Sequence, residues 1–315
     1  MRIISFATKE SDWKTPRMGI ILSIDGRDSG HRLDCEKLFS PDERPTNLLA
    51  WFDMDGRWLQ TARNTARRLE GDPTAFEEAR EAGLLVPSRD AYWFAPVPRP
   101  GKIVCIGLNY RDHAKELNLT VPKAPAIFSK FSSCVIAPGE PVVIPAGSGR
   151  LDYEAELAVV IGRRASHVPV ERAYEYVLGY TAFNDVTARD FQFADVQWQR
   201  GKSCDTFAPM GQTIVTTDEI SDPHALGITL SVNGAVMQES NTSEMIFRVP
   251  ELIAYITQSI TLEPGDVIAT GTPAGVGYGR KPPVFLKAGD MMEICIESIG
   301  GLGNPIVESA SRVVS

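Results

Sequence analysis

The chain has no apolar run near the roughly 18 residues that cross a bilayer, so a membrane-spanning protein is not expected. It also lacks a surplus of positive charge. Its 32 lysines and arginines face 40 aspartates and glutamates, a formal net charge of −8. A protein that tracks nucleic-acid phosphates needs the opposite balance. Paired cysteines are missing too: Cys35, Cys105, Cys134, Cys204 and Cys295 are odd in number and scattered, without a Cys-x-x-Cys spacing. That usage fits reduced thiols packed mostly in core strands, and with it a cytoplasmic protein. Met1 to Ala7 runs directly into Lys9 and Glu10, which is no signal-peptide pattern. No repeat or low-complexity segment interrupts the chain. What is there is ordinary for a globular protein, 43% hydrophobic and 23% charged residues, which argues against extended disorder.

A length of 315 residues is enough for two domains. Arg2 to Phe6 and Met18 to Ile24 read as strands, the second ending at the turn Asp25-Gly26. Arg57 to Leu69 reads as a helix whose apolar stripe is Trp58, Ala62, Thr65, Ala66 and Leu69. Pro73 to Ala82 gives a second, shorter helix. The segment Ala95-Pro96-Val97-Pro98-Arg99-Pro100-Gly101 is forced into a stiff, extended connector by its alternating prolines. It divides a small N-terminal α/β domain, 1–95, from a catalytic domain, 96–315.

The catalytic half carries the chemistry. Leu151 to Gly162 has a β-branched, apolar second half and reads as a strand, preceded by Asp152, Glu154 and Glu156 at alternate positions. Side chains alternate across a strand, so all three acids would share one face, with no Lys or Arg between them. Buried together they repel, and a divalent cation removes the conflict; an all-oxygen ligand set suits Mg²⁺, Mn²⁺ or Ca²⁺. The alternative is an edge strand whose acidic face looks at water. Asp185, at the end of the strand-like Val177 to Asn184, is either a helix N-cap or a third carboxylate for the same site. His113 and Glu116 share a face of a short helix, where the carboxylate fixes the imidazole tautomer and prepares it to take a proton from water. By spacing alone that pair is equally an ordinary surface ion pair. His31, His167 and His224 lie in loop-like sequence without partners nearby. Lys202 sits between Gly201 and Ser203 in a loop that can approach a site closely. Asn233-Gly234 marks a hairpin, and Pro250 to Ser259 a helix with proline at its start. Gly271-Thr272-Pro273-Ala274-Gly275-Val276-Gly277 follows the strand Asp266 to Thr270. It lacks the Lys-Ser/Thr of a P-loop and the dinucleotide spacing, so it is no nucleotide site, but it could bind a carboxylate.

Six motifs stand in one order: Gly-Leu-Asn-Tyr-Arg-Asp-His-Ala-Lys-Glu, Asp-Tyr-Glu-Ala-Glu-Leu-Ala-Val-Val-Ile-Gly, Asn-Asp-Val-Thr-Ala-Arg-Asp, Gly-Lys-Ser-Cys-Asp-Thr-Phe, Val-Asn-Gly and Thr-Gly-Thr-Pro-Ala-Gly-Val-Gly. From about Lys102 to Val307 the chain resembles the fumarylacetoacetate hydrolase family, in its acylpyruvate hydrolase-like branch. The resemblance implies an α+β, mostly β fold, a mixed β-roll, and commonly a homodimer. It implies that Glu154, Glu156 and Asp185 hold Mg²⁺ or Mn²⁺, with Asp152 outside the ligand set and Ca²⁺ less suited. It implies a water-activating dyad of His113 and Glu116 on a lid segment and an active-site Lys202. Thr206 would stand just outside the metal's ligands, with Arg189, Gln192 and Thr272 at the substrate.

The function expected on these grounds is hydrolysis of a carbon–carbon bond in an acylpyruvate-type 2,4-diketo acid. Water activated by His113 attacks the distal carbonyl, Lys202 holds the oxyanion, and the metal takes the charge of the departing pyruvate enolate. One alternative keeps the metal and loses the water: a decarboxylase or isomerase of oxaloacetate or a related 2-oxo acid. The other is a catalytically silent metal-binding scaffold. The expected partner is a small 2-oxo acid, with no nucleic acid and no membrane.

Overall fold

The most apolar, β-branched stretches of the chain collect into one large sheet. The computed structural model describes residues 1–9, 15–194 and 196–309. Across the sheet the neighbours are Leu85–Pro87, Arg27–Asp34, Arg17–Ile24, Arg2–Thr8, Ile214–Thr216, Val177–Asn184, Ala155–Ile161, Val267–Ala269, Ile103–Gly107 and Ala126–Lys130. Ala91–Trp93 also pairs with Arg2–Thr8. All these pairs are antiparallel except Val267–Ala269 with Ile103–Gly107. A second sheet of five strands runs Ala235–Asn241, Gly227–Val232, Met291–Ile296, Gly300–Glu308 and Val142–Ile144. The fold is α+β and mostly β, with mixed sheets and short helices.

The N-terminal strands join the large sheet directly. Arg2 lies opposite Val215 and Ile3 opposite Ile214, so residues before the proline connector pair with residues well after it. Arg57–Gly71 is a helix that packs on Arg17–Ile24 through Leu59, Ala62, Ala66 and Leu69. Trp58 and Thr65, expected on that stripe, are only half-buried, and Leu59 takes the central place. Asp72 caps the next helix, Pro73–Glu81, by accepting from the backbone N–H groups of Thr74 and Ala75 at 2.9 and 3.2 Å.

Two local expectations need correction. Leu151 to Gly162 is not one strand. Leu151–Asp152 pairs with Thr187–Ala188 in a separate ladder, the chain breaks at Tyr153 and Glu154, and Ala155–Ile161 enters the large sheet. The break takes Asp152 off the face that Glu154 and Glu156 share. The second correction is Cys295, which is exposed: in Met291–Ile296 the buried positions are Met292, Ile294 and Ile296, so the odd position looks outward. Cys35, Cys105 and Cys134 are buried as expected. The hairpin turn at Asn233-Gly234 has positive φ at both residues, 53° and 78°, the pairing that fits a tight two-residue loop.

Candidate active site

Two neighbouring strands bring a cluster of carboxylates together. Ala155 lies opposite Asn184 and Glu156 opposite Phe183 in the antiparallel ladder of the two central strands. Just beyond the ladder, the Asp185 N–H donates to the Glu154 carbonyl at 3.0 Å, and the Glu154 N–H to the Asn184 side chain at 3.0 Å. Register therefore sets Asp185 beside Glu154, and the two-residue repeat brings Glu156 to the same face. One oxygen from each of Glu154, Glu156 and Asp185 falls within 4.8 Å of the others, and all three residues are buried. The solvated edge strand is thereby excluded.

No single strand could hold these charges alone, and cations arrive from elsewhere. Lys202 donates to Glu154 at 2.8 Å and to Asp185 at 2.6 Å. Lys130 donates to the other Asp185 oxygen at 2.5 Å and to the Val186 carbonyl at 3.0 Å. Arg189 bridges Asp152 and Glu154 at 2.8 and 2.6 Å. Burial by itself would raise the Glu154 carboxyl, but Lys202 and Arg189 outweigh it and hold the group down at about 2. Glu156 is the opposite case. Burial, with the Asp185 and Glu154 charges beside it, pushes its carboxyl well up, and its one backbone donor, Gly271 N–H at 2.8 Å, does not compensate. Four buried carboxylates thus face three buried cations, and Glu156 is the one with no ion pair. A hard divalent cation among Glu154, Glu156 and Asp185 would relieve that imbalance, and an all-oxygen donor set is what such an ion takes. The residues present fit it.

The cluster lies against a cavity of about 650 Å³, whose wall also includes His113, Glu116, Phe128, Trp198 and Tyr278. His113 is held in the short helix Arg111–Glu116, and its Nδ1 meets Glu116 Oε2 at 3.1 Å. The other Glu116 oxygen accepts from Gly275 N–H at 2.9 Å. A Cβ on Gly279 would stand 2.8 Å from the Glu116 carboxyl carbon, so that position must be small for the carboxylate to seat. The helix is fixed from outside as well. Ser240 donates to Asp112 at 2.6 Å, and Arg111 to the Met245 carbonyl at 2.6 Å.

Lys202 is the last residue of a short helix, Gln199–Lys202, and is buried. Arg189 and Gln192 sit on another, Arg189–Gln192, where Arg189 donates to the Gln192 side-chain amide oxygen, Oε1, at 3.0 Å. Both line the cavity, as does Thr272, whose hydroxyl donates to the Ala155 carbonyl and accepts from Gln238. Thr206 Oγ1 bonds the backbone of Val143 and of Asp205, both outside the carboxylate cluster. Asp152 anchors rather than ligates: besides Arg189 it accepts from the backbone of Gly277 at 2.7 Å and of Tyr278 at 3.0 Å. Sequence reasoning missed Lys130, Gln238 and Asn109. Lys130 carries no signal beyond being a lone lysine at a strand end. Asn109, which ties Thr270 and Phe247 together, stands two residues after Gly107, the end of a strand, a place where sites are commonly built.

Mixed β-sheets thus bring a buried three-carboxylate cluster that could hold a divalent metal to the same cavity as an imidazole–carboxylate pair. The C-terminal domain profile of fumarylacetoacetate hydrolase matches residues 102–307. The mitochondrial oxaloacetate tautomerase of Xenopus laevis is 43% identical over 310 residues, covering 98% of this chain and 90% of that protein. A human mitochondrial oxaloacetate tautomerase is 49% identical over 225 residues, 71% of this chain and 72% of its own. Among solved structures, fumarylacetoacetate hydrolase from Exiguobacterium antarcticum superposes with a TM-score of 0.76 at 34% identity, covering 98% of this chain and 99% of that one. A 2-hydroxyhepta-2,4-diene-1,7-dioate isomerase from Mycobacterium marinum does so with 0.72 at 32%, covering 99% and 100%. The chain belongs to the fumarylacetoacetate hydrolase family and is an enzyme of that family.

These relatives correct two expectations. Carbon–carbon hydrolysis of an acylpyruvate does not stand, because the close relatives are oxaloacetate tautomerases. The motifs that suggested it serve any reaction that builds up enolate charge, so they do not distinguish water attack from proton transfer. A cytoplasmic placement does not stand either, since the same relatives are named mitochondrial.

Proposed function

We propose that the protein is a divalent-metal-dependent tautomerase of oxaloacetate-type 2-oxo acids, interconverting the enol and keto forms. The observation that carries this reading is the meeting, in one cavity, of an acid–base pair, His113–Glu116, with a buried cation, Lys202, at the carboxylate triad. Enol and keto oxaloacetate differ by the place of one proton. An O–H bond at C2 breaks, a C–H bond at C3 forms, C=C becomes C=O, and no water is consumed.

Glu154, Glu156 and Asp185 would hold the ion, Mg²⁺ or Mn²⁺, with Ca²⁺ less suited. When bound it supplies Lewis acidity at the 2-oxo acid end of the substrate and offsets the Glu156 charge. His113 handles the proton at C3. With Nδ1–H donated to Glu116, Nε2 keeps the lone pair that takes or returns it, and the Glu116 charge supports the imidazolium in between. Lys202 spends two of its three N–H bonds on Glu154 and Asp185, which leaves one for the negative charge that gathers on the C2 oxygen. Arg189 and Gln192 flank the substrate carboxylate, with Thr272 as wall.

The test is the decay of enol oxaloacetate followed by its ultraviolet absorbance, with pyruvate and CO₂ assayed in parallel. Tautomerisation dependent on Mg²⁺ or Mn²⁺, without pyruvate, is the expected result. CO₂ release at the same rate would make the enzyme a decarboxylase, and no turnover of any 2-oxo acid would sink the assignment. His113→Ala should lower kcat by about 10²- to 10⁴-fold while Mg²⁺ affinity, read by calorimetry, stays unchanged. We also propose a homodimer; light scattering at the single-chain mass of 34.5 kDa would overturn that.

A further inference from the structure

We propose that Lys281 is the specificity residue that selects 2-oxo diacids, by binding the carboxylate at the far end of the substrate from the metal site. This rests on the reading of the cavity as one for oxaloacetate-type acids, and deepens it.

The argument is one of committed and uncommitted charge. Five residues in the cavity wall can carry positive charge: His113, Arg189, Lys202, Arg280 and Lys281. His113 is taken by Glu116. Arg189 is taken by Asp152 and Glu154, and Lys202 by Glu154 and Asp185. Arg280 is turned to the backbone, donating to the Gly275 carbonyl at 3.3 Å and to the Met237 carbonyl, so it clamps the glycine-rich turn. Lys281, an exposed residue of the wall, forms no ion pair with any described residue. It is the cation left over.

A substrate gives that cation a use. The 2-oxo group and its adjacent carboxylate belong at the inner end, beside the triad. A four-carbon diacid then points its second carboxylate outward, two carbons farther along. Beside its polar groups the cavity wall includes the apolar Leu108, Leu117, Phe128, Phe193 and Val276. An anion left against such a wall without a partner is costly, so the cavity either takes a substrate with an apolar far end or needs a cation there. Lys281 supplies it. Its flexible four-carbon stem allows the ammonium to meet acids of slightly different length, and an exposed position keeps the cost of an empty site low.

The experiment uses the full chain loaded with Mg²⁺, as wild type, Lys281→Met and Lys281→Arg. Steady-state tautomerisation of enol oxaloacetate is measured, together with calorimetric binding of 2-oxoglutarate and of 2-oxopentanoate. These two acids differ only in a carboxylate or a methyl group at the far end. Lys281→Met should raise KM for oxaloacetate and Kd for 2-oxoglutarate about tenfold, with kcat and 2-oxopentanoate binding within about twofold of wild type. Lys281→Arg should recover most of the loss. The proposal is overturned if Lys281→Met leaves the diacids unaffected, or weakens both acids alike. If wild type does not tautomerise oxaloacetate, the proposed function fails, and the calorimetric pair still decides on Lys281.

Discussion

At the scale of single residues, the site is a problem of charge compensation. Lys202 is buried between two carboxylates, only 2% exposed where it meets the cavity. Removing its charge while keeping its bulk leaves Glu154 and Asp185 short of a partner inside the protein. Lys202→Met should therefore destabilise the metal-free enzyme by about 3–5 kcal/mol, read from denaturant unfolding. Added Mg²⁺ should restore part of the loss, because the ion answers the same carboxylates. A variant as stable as wild type without metal would mean that the ion pairs are not what holds these acids in place. The alternation of Glu154 and Glu156 was readable in the sequence, and Asp185 could be named beside them. Lys130 could not, since it comes from a strand at the far edge of the sheet and meets Asp185 only when the sheet closes.

At the scale of elements, two short segments decide how well the acid–base pair is held. The glycine-rich turn seats Glu116 through Gly275, and Gly279 just beyond it lies so close that a methyl group there must displace the carboxylate. Gly279→Ala should lower kcat about tenfold or more with the unfolding temperature nearly unchanged, since misplacing a catalytic group is felt in rate before stability. An unchanged kcat would show that Glu116 does not position His113. Elsewhere, the start of the helix Val249–Thr257 is tied to His224, whose Nε2 accepts from the Val249 N–H at 3.4 Å. Burial, helped by Arg248, holds this imidazole below its ordinary 6.5. The unfolded chain then takes up the proton first as pH falls. The stability from a neutral His224 is complete above the unfolded value and drains away as pH drops through the depressed one. His224→Gln, which keeps an acceptor, should flatten the acid side of the stability curve below about pH 6.5. Parallel curves for the two proteins would rule His224 out as the titrating group.

At the scale of the whole molecule, the large sheet joins the two ends of the proline connector. We propose that residues 1–95 and 96–315 are two domains that share this sheet, with Arg2–Thr8 as the N-terminal side of the seam. A chain starting at residue 96 would leave Ile214–Thr216 as a bare sheet edge next to the central strands. Unpaired edges of this kind template association. That shortened chain should aggregate, or elute well above its monomer mass, in size-exclusion chromatography. A soluble, monomeric 96–315 with full metal affinity would show that the seam contributes little.

By itself the sequence determined the short-range features: the alternation of Glu154 and Glu156, the Asn233-Gly234 hairpin and the pairing of His113 with Glu116, because each depends on residues a few positions apart. Through the order of its motifs it also determined the family. Only the tertiary structure decided that Asp152 belongs to Arg189 and the glycine-rich turn rather than to the acidic face. Only it decided that Glu156 is the acid of the cluster without an ion pair among the described residues, and that Arg280 turns to backbone carbonyls while Lys281 has no ion pair among them. Those are facts of which distant segments meet, and a balance of buried charge is settled only when the chain has closed on itself.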